Sequence, residues 1–159
     1  MPATKKSAPE RVDLDSLPGH YIRRLQQIAV AIFLQETEST GVTPVQFAAM
    51  QAVHNTPGLD QRTLARTIGF DTSTTAGVID RLEARGLLQR NASLEDRRVR
   101  RLTLTPQGQA LLAEVIPAMQ RAQVRMLDPL SKAERAEFMR LLRLLVTANN
   151  ELSRAPSEA

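Results

Sequence analysis

Arg90, Arg97, Arg98, Arg100 and Arg101 crowd a short stretch that sets only Glu95 and Asp96 against them. Guanidinium groups at this density form an electrostatic footprint for phosphate, and an arginine on a narrow loop suits a minor groove whose potential favours it. Asp96 reads as the acid that holds a wing arginine in place, leaving Arg97 or Arg98 to reach the groove. Just upstream, Ser73, Thr74, Gly77, Arg81 and Arg85 fall on one side of a helical wheel, opposite Ala76, Ile79, Leu82 and Glu83. Small hydroxyl residues, a glycine and arginines put little bulk between the backbone and base edges, which suits a major groove. Gly77 costs a helix about 1 kcal/mol against Ala, so close packing or close approach is the reason for it. Each feature has a bland account when taken singly, a solvated helix face and a basic edge strand. In succession they predict a nucleic-acid interface.

Other chemistries find no support. The chain has no phosphate-binding glycine loop, no nucleophile elbow and no arrangement of Ser, His and acid that the sequence can place. Glu36 and Glu38 lie on different sides of a helix, so they do not form a paired-carboxylate site. With Cys 0, disulfides, thiol redox sensing and thiolate metal sites are excluded. The two histidines, His20 and His54, sit on different helices without a ligand cluster, so no metal and no cofactor is expected. A formal charge of +4 agrees with an anionic partner, although the placement of charge says more than its sum.

The elements that must carry these residues are mostly helical. At 159 residues, 42% hydrophobic and only 3% aromatic, the chain predicts one compact domain of packed helices with extensions. Tyr21, Leu25, Ile28, Ala29 and Ile32 recur at helical spacing in a first helix from Leu17 to about Glu38, broken by Ser39, Thr40 and Gly41. Thr43, Pro44 and Gln46 start the second helix with a capping box, and it ends near Asn55. Asp60 caps a short third helix carrying Leu64, Ala65 and Ile68, and Gly69 ends it. Asp71 or Thr72 caps a fourth that runs to Arg85 and stops at Gly86. Strands follow at Leu87 to Asn91 and Arg98 to Thr103, joined by a polar loop. Thr105 and Pro106 open a long helix to about Leu127, which Pro117 should bend or interrupt. Ser131 and Glu134 box the last helix, striped by Phe138, Leu141, Leu142, Leu145 and Val146. The order predicts a mainly α chain, a winged helix-turn-helix at about 43–105 between helices at about 17–38 and 106–152. The ends, residues 1–16 and 153–159, are expected to be flexible tails.

The motifs resemble one family in order and spacing. Leu64-Ala65, the run from Ser73 to Leu88 with its Leu-Glu-x-Arg-Gly-Leu core, Asp96-Arg97-Arg98 and the segment from Leu102 to Gly108 are similar to the MarR family of bacterial regulators. The resemblance covers about Leu17 to Leu152. It implies a non-catalytic homodimer whose N- and C-terminal dimerisation helices interlock and whose winged domains straddle a palindromic operator in double-stranded DNA. Carried over by matching position, Thr72, Ser73, Thr74, Gly77 and Arg81 contact bases or groove, Arg97 and Arg98 form the wing, and Gln61 and Arg62 reach phosphate.

The family also implies release of DNA by a small aromatic acid. His20, Tyr21 and Arg24 on the first helix offer an imidazole, a ring and a guanidinium for a ligand carboxylate and its ring. The plain alternative puts Arg24 in an intersubunit ion pair, His20 in solvent and Tyr21 in the core. The first helix, His20 to Ala29, is similar to the branch that represses nicotinate degradation, which implies a hydroxylated pyridine carboxylate. A helical adaptor for protein and an architectural DNA-binding protein are the competing readings. No segment reaches the about 20 apolar residues of a membrane span and no signal peptide is evident, so a cytoplasmic protein without membrane partners is expected.

Overall fold

The computed structural model describes residues 8–153; the expectations for residues 1–7 and 154–159 lie outside that range. Within the N-terminal segment expected to be a flexible tail, Leu14–Ser16 forms a 3₁₀ turn, with the Asp15 amide donating to Asp13 Oδ1 at 3.1 Å. Helix α1 follows at Pro18–Glu36, and a further 3₁₀ turn, Glu38–Thr40, leads to Gly41. Helix α2 is Pro44–Asn55, opened by the reciprocal Thr43 and Gln46 capping bonds. Helix α3 is Gln61–Ile68 and α4 is Thr72–Ala84. The carboxylates of Asp60 and Asp71 accept the Thr63 and Thr74 amides at 2.7 Å, so Asp71 rather than Thr72 caps α4.

Strands β1, Leu88–Ala92, and β2, Arg100–Leu104, pair antiparallel with Leu88 opposite Leu104 and Ala92 opposite Arg100. Both lie a residue or two later than the sequence pattern placed them. For β2 the reason is the turn: Asp96 holds the Arg98 amide at 2.9 Å, which keeps Arg97 and Arg98 out of the ladder. The segment before α3 adds one more rung, with the Gly58 amide donating to Leu102 O at 2.8 Å and the Leu102 amide donating to Leu59 O at 3.0 Å. This rung seats the start of α3 against β2.

Helix α5, Pro106–Leu127, runs through Pro117 without the interruption that was one of the two expected outcomes, a bend being the other. Pro117 lies on the exposed side, while Leu112, Val115, Ala118 and Ala122 are buried on the other, and that packing holds the helix together. Helix α6, Lys132–Ala148, has the expected Ser131 and Glu134 box. None of the residues of α6 is buried.

The core is centred in the winged domain, where Met50, Leu64, Ile79, Leu82, Leu88 and Leu102 interlock with Leu112 of α5. A second cluster, Phe33, Val42, Val115 and Ala122, joins α1 to α5. At the junction of wing and α5, a Cβ on Gly108 would sit 1.9 Å from Leu87 O, so only glycine admits this approach. Among the described residues, no helix is long and apolar enough to cross a membrane.

Candidate nucleic-acid interface

Folding divides the arginines into two groups that the sequence could not separate. Arg90 is held on α4: its guanidinium lies 2.5 Å from Asp80 and 3.2 Å from Glu83, and its amide donates to Glu83 Oε2. Arg101 donates to Gly58 O at 3.2 Å. Arg85 donates to Thr40 O at 3.1 Å and Gly41 O at 3.3 Å. These three stitch the wing and α4 to the rest of the fold. Arg85 and Arg101 are exposed too, but Arg62, Arg81, Arg97, Arg98 and Arg100 differ from them in that, among the described residues, their side chains have neither a carbonyl nor an acidic partner.

Helix α4 presents Thr72, Ser73, Thr74 and Arg81 to solvent while Thr75, Val78, Ile79 and Leu82 face the core. The helical wheel had set Ala76 and Glu83 inward and Arg85 outward with Arg81. Ala76 is half-buried, Glu83 is exposed beside Arg90, and Arg85 is tied to the turn after α1. Gly77 is half-buried, and a Cβ there would meet nothing within 4 Å, so packing within the chain does not require glycine. The Thr74 hydroxyl donates to Asp71 Oδ2 at 2.8 Å, which fixes its orientation at the start of α4.

A groove of about 440 Å³ runs between α3 and β2, lined by Gln61, Arg62, Arg98, Val99 and Arg100 beside Asp60. It brings Gln61 and Arg62 together with the wing residue Arg98 and adds Arg100, which the sequence had counted only in the charge of the hairpin. The signal for Arg100 was available only as alternation with buried Leu102 and Leu104 along β2. Asp60 stays ionised here, its carboxyl held below the ordinary range first by the Thr63 amide and further by the nearby charge of Arg101. Asp96 acts on the Arg98 backbone rather than on a guanidinium, so it shapes the turn that carries Arg97 and Arg98.

A second concavity, about 570 Å³, separates α1 from α6. Tyr21 and Arg24 line it with Leu25, Phe138, Leu141 and Leu145, Arg24 being the one charged side chain among the described residues of this largely apolar wall. His20 is not part of this lining. Its Nδ1 lies 3.3 Å from Arg23 Nη2, and its ring packs edge-on against Tyr21 with centroids 5.6 Å apart. His54 is exposed at the end of α2.

Comparison with known proteins fits this architecture. A family model described as MarR family matches residues 42–99, from the turn before α2 into the wing. The HTH-type transcriptional repressor NicR of Pseudomonas putida is 30% identical over 153 residues, covering 92% of this chain and 97% of that one. The solved structure of Bordetella bronchiseptica BpsR, described by regulation of its DNA binding by 6-hydroxynicotinic acid, is 32% identical. It superposes with a TM-score of 0.81 over 86% of this chain and 97% of BpsR. The repressor CouR, solved bound to a 23-mer DNA duplex, is 29% identical with a TM-score of 0.80, covering 88% of this chain and 99% of CouR. NicR and CouR are described as transcriptional repressors and not as enzymes. With that coverage and the winged helix-turn-helix at its centre, the chain belongs to the MarR family.

Proposed function

We propose that the protein is a homodimeric transcriptional repressor that binds a palindromic operator and releases it when a small aromatic or pyridine carboxylate binds. The observation that carries the DNA reading is the segregation of arginines. Arg85, Arg90 and Arg101 are bound to carbonyls or acids, while Arg62, Arg81, Arg97, Arg98 and Arg100, exposed on α3, α4 and the wing, have no such side-chain partner among the described residues. In this reading Thr72, Ser73, Thr74, Gly77 and Arg81 enter the major groove, Arg97 and Arg98 reach the minor groove, and Gln61 and Arg62 grip the phosphates. CouR, solved on duplex DNA, supports it by similarity.

The dimer reading rests on α1 and α6. Tyr21, Ile22, Leu144, Leu145 and Val146 are all more than half exposed, an apolar surface that a second copy would cover. The effector reading rests on Tyr21 and Arg24 in the α1–α6 groove and on the response of BpsR to 6-hydroxynicotinic acid.

The test begins with selection of bound sites from a random duplex pool, followed by footprinting. A protected palindrome is expected, with affinity that falls steeply as salt rises. Replacing Arg97 and Arg98 together by Ala should abolish that footprint while leaving the dimer intact; unchanged affinity overturns the wing assignment. Titration of the complex with 6-hydroxynicotinic acid and other aromatic carboxylates should release DNA for at least one compound, and persistence of the footprint with all of them removes the effector reading.

A further inference from the structure

The arginine at the end of α4 does work that neither groove contact nor core packing explains. Arg85 lies at the C-cap of α4, directly after the last helical residue, Ala84. Its guanidinium spans the chain to the turn after α1, donating through Nη2 to Thr40 O at 3.1 Å and through Nη1 to Gly41 O at 3.3 Å. A planar fork on two successive carbonyls fixes an orientation as well as a distance, which an ammonium group cannot do.

The turn it grips is continuous with α1. Thr37 is buried, and its hydroxyl donates to Phe33 O in the last turn of α1 at 2.8 Å. The Thr40 hydroxyl donates to Thr37 O at 2.7 Å and accepts from the Val42 amide at 3.3 Å. Gly41 takes the left-handed conformation at φ +62° that closes the turn. This chain of bonds makes Thr40 and Gly41 an extension of α1, so that Arg85 ties α4 to α1. On the opposite side, Arg90 ties α4 to the wing through Asp80 and Glu83. The C-terminal end of α4 is thus fastened both to the reading head and to the helix that carries the apolar α1 surface.

We propose that Arg85 is a positioning residue that fixes the angle of α4 to α1 and thereby sets the spacing between operator half-sites that the protein accepts. The inference rests on the reading of a dimer on palindromic DNA, in which recognition helices must enter major grooves about one helical turn apart. If α1 packs against the second copy, its angle to α4 becomes the angle between the two recognition helices and the dimer axis. Arg85 contacts no base in this account; Arg81, exposed on α4 with no acidic partner among the described residues, does.

The test uses the palindrome selected by the wild-type protein, versions of it with the spacer one base pair longer or shorter, and a duplex with a single half-site. R85M keeps the side-chain stem and removes the donors, and R85K keeps the charge and removes the fork. Either variant should keep the wild-type unfolding midpoint and its affinity for the single half-site. On the best palindrome it should bind about tenfold more weakly, with its preference over the altered spacers reduced to within about twofold. R81A should lose affinity on every duplex alike. Retained spacer preference in a folded R85M or R85K overturns the proposal, and so does a proportional loss on the single half-site, which makes Arg85 a contact residue. A wild-type protein that selects no spaced palindrome removes the parent reading and this inference with it, whereas a discriminating wild type with unaltered variants removes this inference alone.

Discussion

At Arg90 one guanidinium neutralises two carboxylates, Asp80 at 2.5 Å and Glu83 at 3.2 Å, on the helix read as entering the major groove. Asp80 is exposed and adjoins Arg81, so without its partner it would face phosphate as a bare negative charge. Arg90→Ala should therefore weaken operator binding about tenfold through uncovered acid, although Arg90 itself is engaged by Asp80 and Glu83. Adding D80N and E83Q to R90A should recover most of that affinity; no recovery would show that the loss came through the fold. Two glycines give the complementary contrast between stability and binding. Gly77→Ala meets nothing within 4 Å and removes a helix-weakening residue, so stability should rise by up to about 1 kcal/mol. The same methyl lies on the helix read as entering the major groove, and on that reading operator affinity should fall. Gly108→Ala places a Cβ at 1.9 Å from Leu87 O and should cost about 3 kcal/mol. Urea unfolding of both variants, with binding measured on Gly77→Ala, checks the pair.

Among the elements, α3 depends most on its cap, because Gln61–Ile68 is short and Asp60 both starts it and pairs beside β2. Asp60→Ala should cost about 1 kcal/mol. The carboxyl of Asp60 is held below its ordinary 3.8 by the Thr63 amide, so its contribution is complete above that value and is lost as pH falls through the lower folded value. The stability gap between wild type and Asp60→Asn should accordingly narrow on going from about pH 7 to about pH 3, and a constant gap would remove the ionised cap from the account. Caps of this kind are what made the elements legible: Thr43 with Gln46, Asp60, Thr105 with Pro106, and Ser131 with Glu134 are local signals, and the helices begin where they stand. Arg85 was misread for the opposite reason. A helical wheel sees only its own turn, and the carbonyls that Arg85 binds lie 44 and 45 positions away. The same limit hid the division of the arginines, since Asp80 and Glu83 select Arg90 only after β1 folds back on α4. An interruption at Pro117 is expected from the bond it removes, whereas the packing of Val115 and Ala118 beside it keeps α5 continuous.

At the scale of the whole molecule, apolar side chains are left unpartnered on the N-terminal half of α1 and along α6. Leu145 is the test of what covers them, being 54% exposed in one chain and lying on the α1–α6 groove. In a monomer, a charge at so exposed a site changes stability by no more than about 0.5 kcal/mol. In a dimer that buries α6, Leu145→Glu places an unpaired carboxylate in an apolar interface and separates the subunits. Sedimentation should then give a single-chain mass for the variant against twice that for the wild type, and the unfolding midpoint of the wild type alone should rise with protein concentration. Palindrome affinity in Leu145→Glu should fall to that of a single half-site, because the winged domain is intact and only the linkage between two copies is gone. A dimer that survives Leu145→Glu would move the contact off this stretch of α6 and leave α1 to carry it.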